Sequence, residues 1–281
     1  MVYTGRRKNY DYGLGSSMHW ILQLDLEAGH AEEAMLDAIK DLSLPHTCVK
    51  VVPFSHELIP EPKVDPEDQV VCYGGIGLKS IAAERNWNPG IYLNENFVFE
   101  RWLENWGDRI LNADSIVTQF DSITLQSDPF FVRPCATDKT FTGVVVTQAE
   151  YAVWREEINQ GTTSQFYQGL TPDTLVASAP YKKIDRECRF FCVDDRIVTA
   201  SFYRSRFEHK YIAFYGTPWY DAAMERYVLE HIRKWHPDRA YVLDVAQCEN
   251  EYKIIEVNCY NSSGLYECDP IKVVEAIEEI G

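Results

Sequence analysis

The residues most able to do chemistry lie near the C-terminal end, in AYVLDVAQCENEYKIIEVN, residues 240–258. Two apolar runs rich in Val, Ile, Leu and Tyr flank the polar Glu249-Asn250-Glu251, the pattern of a β-hairpin with a three-residue loop. With Asn250 at the centre of that loop, Asp244 faces Glu256, and opposed residues share one face of a sheet. Asn258, two residues on, returns to that face. Two carboxylates and an amide oxygen then converge on a short apolar hairpin. Mutual repulsion and desolvation make this costly unless a cation sits between them. A hard divalent ion such as Mg2+, its shell completed by a substrate phosphate, meets that need. A solvated sheet face would carry the same residue types; the turn-forming Cys259–Gly264 run that follows favours a site.

The elements that must position this triplet are legible on either side. A last helix is expected over Pro270–Ile280 and a long one over Tyr220–Trp235, with Ala223, Tyr227, Val228, Ile232 and Trp235 on its apolar stripe. Residues 186–204 read as a second hairpin turning at Asp194-Asp195, with Glu187, Arg189 and Phe191 on one face and Cys188, Phe190 and Cys192 on the other. Upstream lie a strand at residues 129–134 stopped by Pro134, a small-residue loop at 137–143 suited to an anion, a helix over Gln148–Asn159 and a strand ending at Pro180. Before Asn112 the pattern alternates strand and helix: a run at 19–25, a helix over Ala31–Leu42, and runs at 47–52 and 68–75. Gly74, Gly75 and Gly77 lack the third glycine of the dinucleotide fingerprint and read as a tight turn. Residues 94–106 read as a helix joining the two parts.

Arg133, Lys139, Arg189 and Arg204 punctuate strand ends or loops of the second part. Singly, each is an ordinary surface charge. Together with an acidic hairpin they form the complement a nucleoside triphosphate requires. The order of parts, FVRP-x4-K-x-F-x-G, then the strand bearing Glu187 and Arg189, then Arg204, LDVA, IEVN and SSGLY, resembles the ATP-grasp superfamily, specifically its small bacterial and phage branch named for two arginines and a lysine. The resemblance covers about residues 113–281.

It implies an α/β (α+β) chain: an N-terminal open α/β pre-grasp domain over 1–112, then a two-lobed ATP-grasp module with antiparallel sheets over 113–281, its lobes about 113–180 and 181–281. Carried over by position, it implies that Asp244, Glu256 and Asn258 hold Mg2+, or Mn2+ in its place, and that Arg133 and Lys139 contact ATP phosphates. Ala177, Ser178 and Ala179, with Lys183 and Ile184 nearby, would present backbone groups to adenine, and Glu187 would approach the ribose or purine. Many relatives carry an arginine two residues before the metal aspartate. Here that position is Val242, so Arg204, and after it Arg189, is expected to supply the catalytic positive charge.

The activity so implied is ATP-dependent joining of a carboxylate to an amine or thiol through an acylphosphate, the lobes closing over ATP to exclude water. A kinase on the same scaffold and an ATP-binding interaction module without turnover are the alternatives. The seven histidines are scattered and suggest no Ser-His-Asp arrangement. A charge of −16 argues against nucleic-acid backbones and anionic membranes and for small-molecule or peptide substrates. The absence of a long apolar run and of a signal-like N-terminus points to the cytoplasm, and eight dispersed cysteines without a CxxC pair point to free thiols.

Overall fold

The computed structural model describes residues 17–26, 31–124, 127–135, 141–161, 169–205 and 211–281. Three sheets organise the chain. The first is built from β1 (His19–Gln23), β2 (His46–Val51), β3 (Leu58–Ile59), β4 (Val70–Tyr73) and β5 (Pro89–Gly90), in the order β3-β2-β1-β4-β5. All pairs are parallel except β2 with β3. Trp20, Ile21 and Leu22 form a continuous buried run, as a central parallel strand covered on both faces requires. Helix α1 (Ala31–Asp41) covers one face through Met35, Ala38 and Ile39, and α2 (Leu78–Glu84) the other through Leu78, Ile81 and Ala82. At the end of β4 a Cβ on Gly74 would lie 2.5 Å from Gln23 Cβ, so only glycine lets the chain turn there.

Next come α3 (Phe99–Trp106) and the second sheet: β6 (Ile116–Gln119), β7 (Phe130–Pro134), β8 (Val144–Val146) and β9 (Leu175–Pro180), antiparallel in the order β6-β9-β7-β8. Helix α4 (Gln148–Asn159), started by a reciprocal Thr147–Glu150 capping box, packs Tyr151, Trp154 and Ile158 against Phe130, Val132 and Val176.

The third sheet contains β10 (Arg186–Val193), β11 (Arg196–Ser205), β12 (Ile212–Ala213), β13 (Ala240–Cys248) and β14 (Glu251–Cys259), antiparallel in the order β12-β11-β10-β13-β14. One face packs on α5 (Ala222–Ile232) through Phe190, Leu243 and Val245. The other packs Phe191, Val193 and Val242 into a core shared with α6 (Pro270–Glu278), α1 and β1.

The expected joining helix is instead a 3-10 turn at Glu95–Phe97 followed by α3. Phe97, Phe99, Trp102, Trp106 and Ile110 bury themselves in the core of the third sheet rather than the first, because the apolar stripe fixes that a face is buried but not against what. The second sheet joins the rest through two crossings. Leu111 N–H is bound to Ile254 O (2.7 Å) on the way in and Asp185 N–H to Gln247 O (2.8 Å) on the way out, while Lys182 Nζ reaches Asp114 Oδ1 (2.6 Å) between them.

The first sheet is fastened to the third at Asn261. Its backbone oxygen accepts Gly74 N–H (2.7 Å), its Oδ1 accepts Tyr92 N–H (2.8 Å), and its Nδ2 donates to Cys72 O. All eight cysteines are free, five of them buried. No helix among the described residues is long and apolar enough to cross a membrane.

Candidate active site

The hairpin β13–β14 brings Asp244 opposite Glu256, but by a different route from the one expected. Glu251 belongs to β14 and pairs with Cys248, so the loop has two residues, Glu249 and Asn250, with Glu249 in the left-handed region at φ +54°. A β-bulge then shifts the register: Val245 pairs with Ile254 and Asp244 with Glu256, leaving Ile255 as the extra residue. The shorter loop and the bulge offset each other.

A second bulge lies across the sheet. Glu187 pairs with Arg204 and Cys188 with Phe202, leaving Tyr203 extra. Each bulge cancels the alternation of side chains locally, so Tyr203 and Arg204 both face a cleft of about 480 Å³, as do Ile255 and Glu256. The opposite wall is the second sheet, through Phe131, Arg133 and Val145, and the crossing segment contributes Tyr181, Lys182 and Ile184. Gly143 sits where a Cβ would lie 2.6 Å from Phe131 Cζ, so its lack of a side chain lets this wall close up.

At the base of the cleft Asp244 is 1% exposed. Arg189, its cross-strand neighbour, grips it at two points, Nε to Oδ1 (2.9 Å) and Nη2 to Oδ2 (2.8 Å), and sends Nη1 to Gly264 O (3.0 Å). Asn258 Nδ2 spans both carboxylates, 3.2 Å from Asp244 Oδ2 and 2.9 Å from Glu256 Oε1. Burial pushes the Asp244 carboxyl up from its ordinary value; the Arg189 charge pulls it back, while Glu256 and Glu187 add to the rise. Burial lowers the Arg189 pKa, but Asp244 more than offsets this and the guanidinium stays charged. Glu187, 5% exposed, accepts Arg204 Nη1 at 2.8 Å. Arg133 Nη1 comes within 4.0 Å of Glu256 Oε2 from the opposite wall, its guanidinium 5.2 Å from the Trp102 ring centroid.

The structure therefore gathers Arg133, Glu187, Arg204 and Glu256 around one cleft, with Asp244 and Asn258 in contact with Glu256 or its partner beneath them. Three expectations need correction. Arg189, the second candidate for catalytic charge, is buried and spent on Asp244 and Gly264, so it holds a carboxylate instead of reaching a ligand. Ala177, Ser178 and Ala179 are buried in the central strand β9, Ala177 and Ser178 paired with both β6 and β7 and Ala179 with β7, so they lie within the sheet; the crossing segment that follows borders the cleft through Tyr181, Lys182 and Ile184. Lys183 lines not this cleft but a neighbouring cavity of about 620 Å³, whereas Lys182 lines both. Lys139 lies outside the described residues.

Tyr203, Ile255 and Tyr266 are the residues missed. Strict alternation turns Tyr203 and Ile255 away from the cleft, and no sequence signal marks the bulges. Tyr266 follows the SSG turn, and its contact with Arg189, 4.8 Å from guanidinium to ring centroid, depends on the tertiary fold.

The donor set suits a hard divalent ion, since two carboxylate oxygens already lie within hydrogen-bonding distance of one small polarised NH2 group, and a half-turn of the Asn258 amide would offer its oxygen instead. Among the described residues no group of three or more His, Cys, Asp and Glu side chains gathers as a metal site. The triplet has two carboxylates, so a bound ion would need further oxygens from phosphate or water.

Residues 114–276 match the model of an ATP-grasp domain family, the second family of the clade named for two arginines and a lysine. The chain is similar in fold to the crystal structure of a RimK domain protein ATP-grasp from Sphaerobacter thermophilus DSM 20745, with a TM-score of 0.59 at 12% identity over 93% of this chain and 98% of that one. It superposes equally on D-alanine–D-alanine ligase from Bacillus anthracis complexed with ATP, with a TM-score of 0.59 at 13% identity over 94% of this chain and 97% of the other. At such identities these likenesses show a shared fold. No curated protein sequence gives a significant match.

Proposed function

Because the chain belongs to this second family of the two-arginine-and-lysine clade of ATP-grasp domains, we propose that it is an ATP-dependent ligase that joins a carboxylate to an amine in the cleft between its second and third sheets. The observation that carries this reading is the meeting of Arg133 from one wall with Glu256 from the other, in a cleft also lined by Arg204 and Glu187. Phosphoryl transfer demands positioning and charge neutralisation more than a protein nucleophile, and this arrangement supplies both.

In the proposed reaction the purine rests against Tyr181 and Ile184, bonded to the backbone of 182–184, and Glu187 takes the ribose hydroxyls. Arg133 and Arg204 offset the phosphate charge from opposite walls, with Lys139 joining them. Asp244, Glu256 and Asn258 would hold Mg2+, which supplies Lewis-acid stabilisation of the phosphate oxygens when bound. A substrate carboxylate oxygen attacks the γ-phosphorus; the bond to the β-γ bridging oxygen breaks and ADP leaves with that electron pair. The amine nitrogen then attacks the acylphosphate carbonyl, phosphate departs, and the nitrogen gives up a proton as the amide forms. Closure of the second sheet keeps water from the acylphosphate.

The test is a screen of amino acids and short peptides for ADP release, with mass analysis of products. An amide product supports the ligase. A phosphorylated hydroxyl product would identify a kinase instead, and no ADP release with any acceptor, despite ATP binding, would leave an ATP-binding module.

A further inference from the structure

The loop after the acidic hairpin holds a bulky side chain in a conformation that suits glycine. Tyr266 has φ +53°, where the Cβ of an L-residue crowds its own backbone. Core burial does not account for it, because Tyr266 remains 38% exposed. Its ring contacts two others, Tyr203 at 4.9 Å and 14° and Tyr211 at 4.8 Å and 33°. The Arg189 guanidinium lies 4.8 Å from the Tyr266 centroid and 5.7 Å from that of Tyr203. Two residues earlier, Gly264 O accepts Arg189 Nη1. Arg189 is thus gripped from within by Asp244 and from outside by the backbone and ring of residues 264–266.

We infer that Tyr266 is a positioning residue: its ring fixes the orientation of Arg189 and, through that two-point grip, the orientation of the Asp244 carboxylate. The inference rests on the proposed role of Asp244 as a metal ligand. A guanidinium in a largely desolvated setting is attracted to the face of an aromatic ring, and its planar fork transmits that orientation to the carboxylate it holds. With the ring gone, Arg189 keeps its charge but gains freedom to swing. Asp244 swings with it. A strained backbone at a functional loop is expected where the surrounding structure needs one side chain in one place.

The test uses the full chain and reads Mn2+ binding in the presence of ADP, following the free-ion signal by electron paramagnetic resonance. Tyr266→Gly removes the ring at a position whose backbone already favours glycine, and Tyr266→Phe keeps the ring and loses only the hydroxyl. The glycine variant is expected to bind Mn2+ about tenfold more weakly, in line with loss of a group that orients a metal ligand, while Tyr266→Phe stays within about twofold of the natural chain. In an Arg189→Lys background, Tyr266→Gly is expected to have no further effect, since the two act as a unit. Unchanged Mn2+ affinity in Tyr266→Gly, a phenylalanine variant as weak as the glycine one, or a full additional tenfold loss in the Arg189→Lys background would each overturn the inference. If the natural chain binds ADP but no Mn2+, the metal assignment itself falls and takes this inference with it, a result distinct from failure of Tyr266 alone.

Discussion

The two walls of the cleft are built by opposite means. In the second sheet β7 pairs with β8 and β9 in unbroken register, so plain alternation sends Phe131 and Arg133 to the cleft and Phe130 and Val132 to α4. The third sheet has three bulges, and two of them, one on each side of the central pair β10–β13, deliver adjacent residues, Tyr203 with Arg204 and Ile255 with Glu256, to the same space. Charge is also held differently. Arg133 stands half-buried beside an aromatic ring, whereas Arg189 and Asp244 are locked together in the interior. At Arg133 a charge can therefore be removed at the expense of the ligand, while removing one partner of the buried Arg189–Asp244 pair strikes the fold.

The sharpest way to break this contrast is to truncate each arginine. Arg189→Ala strands a buried Asp244 carboxylate and is expected to cost about 3–5 kcal/mol in urea unfolding, whereas Arg133→Ala should cost about 1 kcal/mol or less and raise the ATP requirement instead. Equal losses would show that the two walls do not differ in this way. Glu256→Gln comes next. Its side chain is 27% exposed, so the fold should survive, but Mg-dependent ATP turnover should fall on the order of 100-fold. Steady-state ADP release at saturating ATP decides it.

A smaller effect belongs to Asp221, which caps α5 through Ala223 and Met224 N–H and also receives Tyr252 and Arg186. Burial raises its pKa, but these hydrogen bonds and the Arg186 charge outweigh it, so the folded value lies below the ordinary 3.8. The carboxylate's contribution is fully present above 3.8 and is lost as pH falls through the lower folded value. Asp221→Ala should cost about 1–2 kcal/mol at pH 7, the gap to the natural chain narrowing in acid below that value. A gap that widens in acid would reverse the assigned sign. The smallest effect on stability is expected from Arg204→Lys, since the arginine side chain is 59% exposed and paired with Glu187 at the surface of the cleft. Melting temperature should hardly move and ATP affinity should hold, while turnover slows about tenfold for want of the planar fork. Normal turnover would remove Arg204 from the reaction.

Much of this was legible because it rests on local pattern. The strands at 130–134 and 186–205 and the helix over Gln148–Asn159 follow from apolar periodicity and turn residues. The facing of Asp244 and Glu256 was legible too, though through two errors that cancel, a loop one residue too long and a bulge not foreseen. Bulges and strand order depend on what packs from outside the segment. For that reason Tyr203 and Ile255 could not be placed, and the run at Ala177–Ala179, which reads like an exposed strand end, is the paired centre of its sheet. Arg189 reads as a free strand-end cation until its cross-strand neighbour is known to be Asp244.

The fastening at Asn261 decides which parts of the molecule can travel. Three backbone positions of the N-terminal part, at Cys72, Gly74 and Tyr92, are bonded to one buried asparagine just beyond the acidic hairpin, and a common core continues from β1 through α6 to β13. The first and third sheets therefore act as a single anvil. The second sheet, joined to them among the described residues by crossings pinned at Leu111 and Asp185 and by Arg133 reaching Trp102 and Glu256, is the hammer, and its stroke is expected to turn about the line joining those two pins. Backbone amides near the pins should then trade hydrogen for deuterium faster than those of β10 and β13, and nucleotide should slow them most.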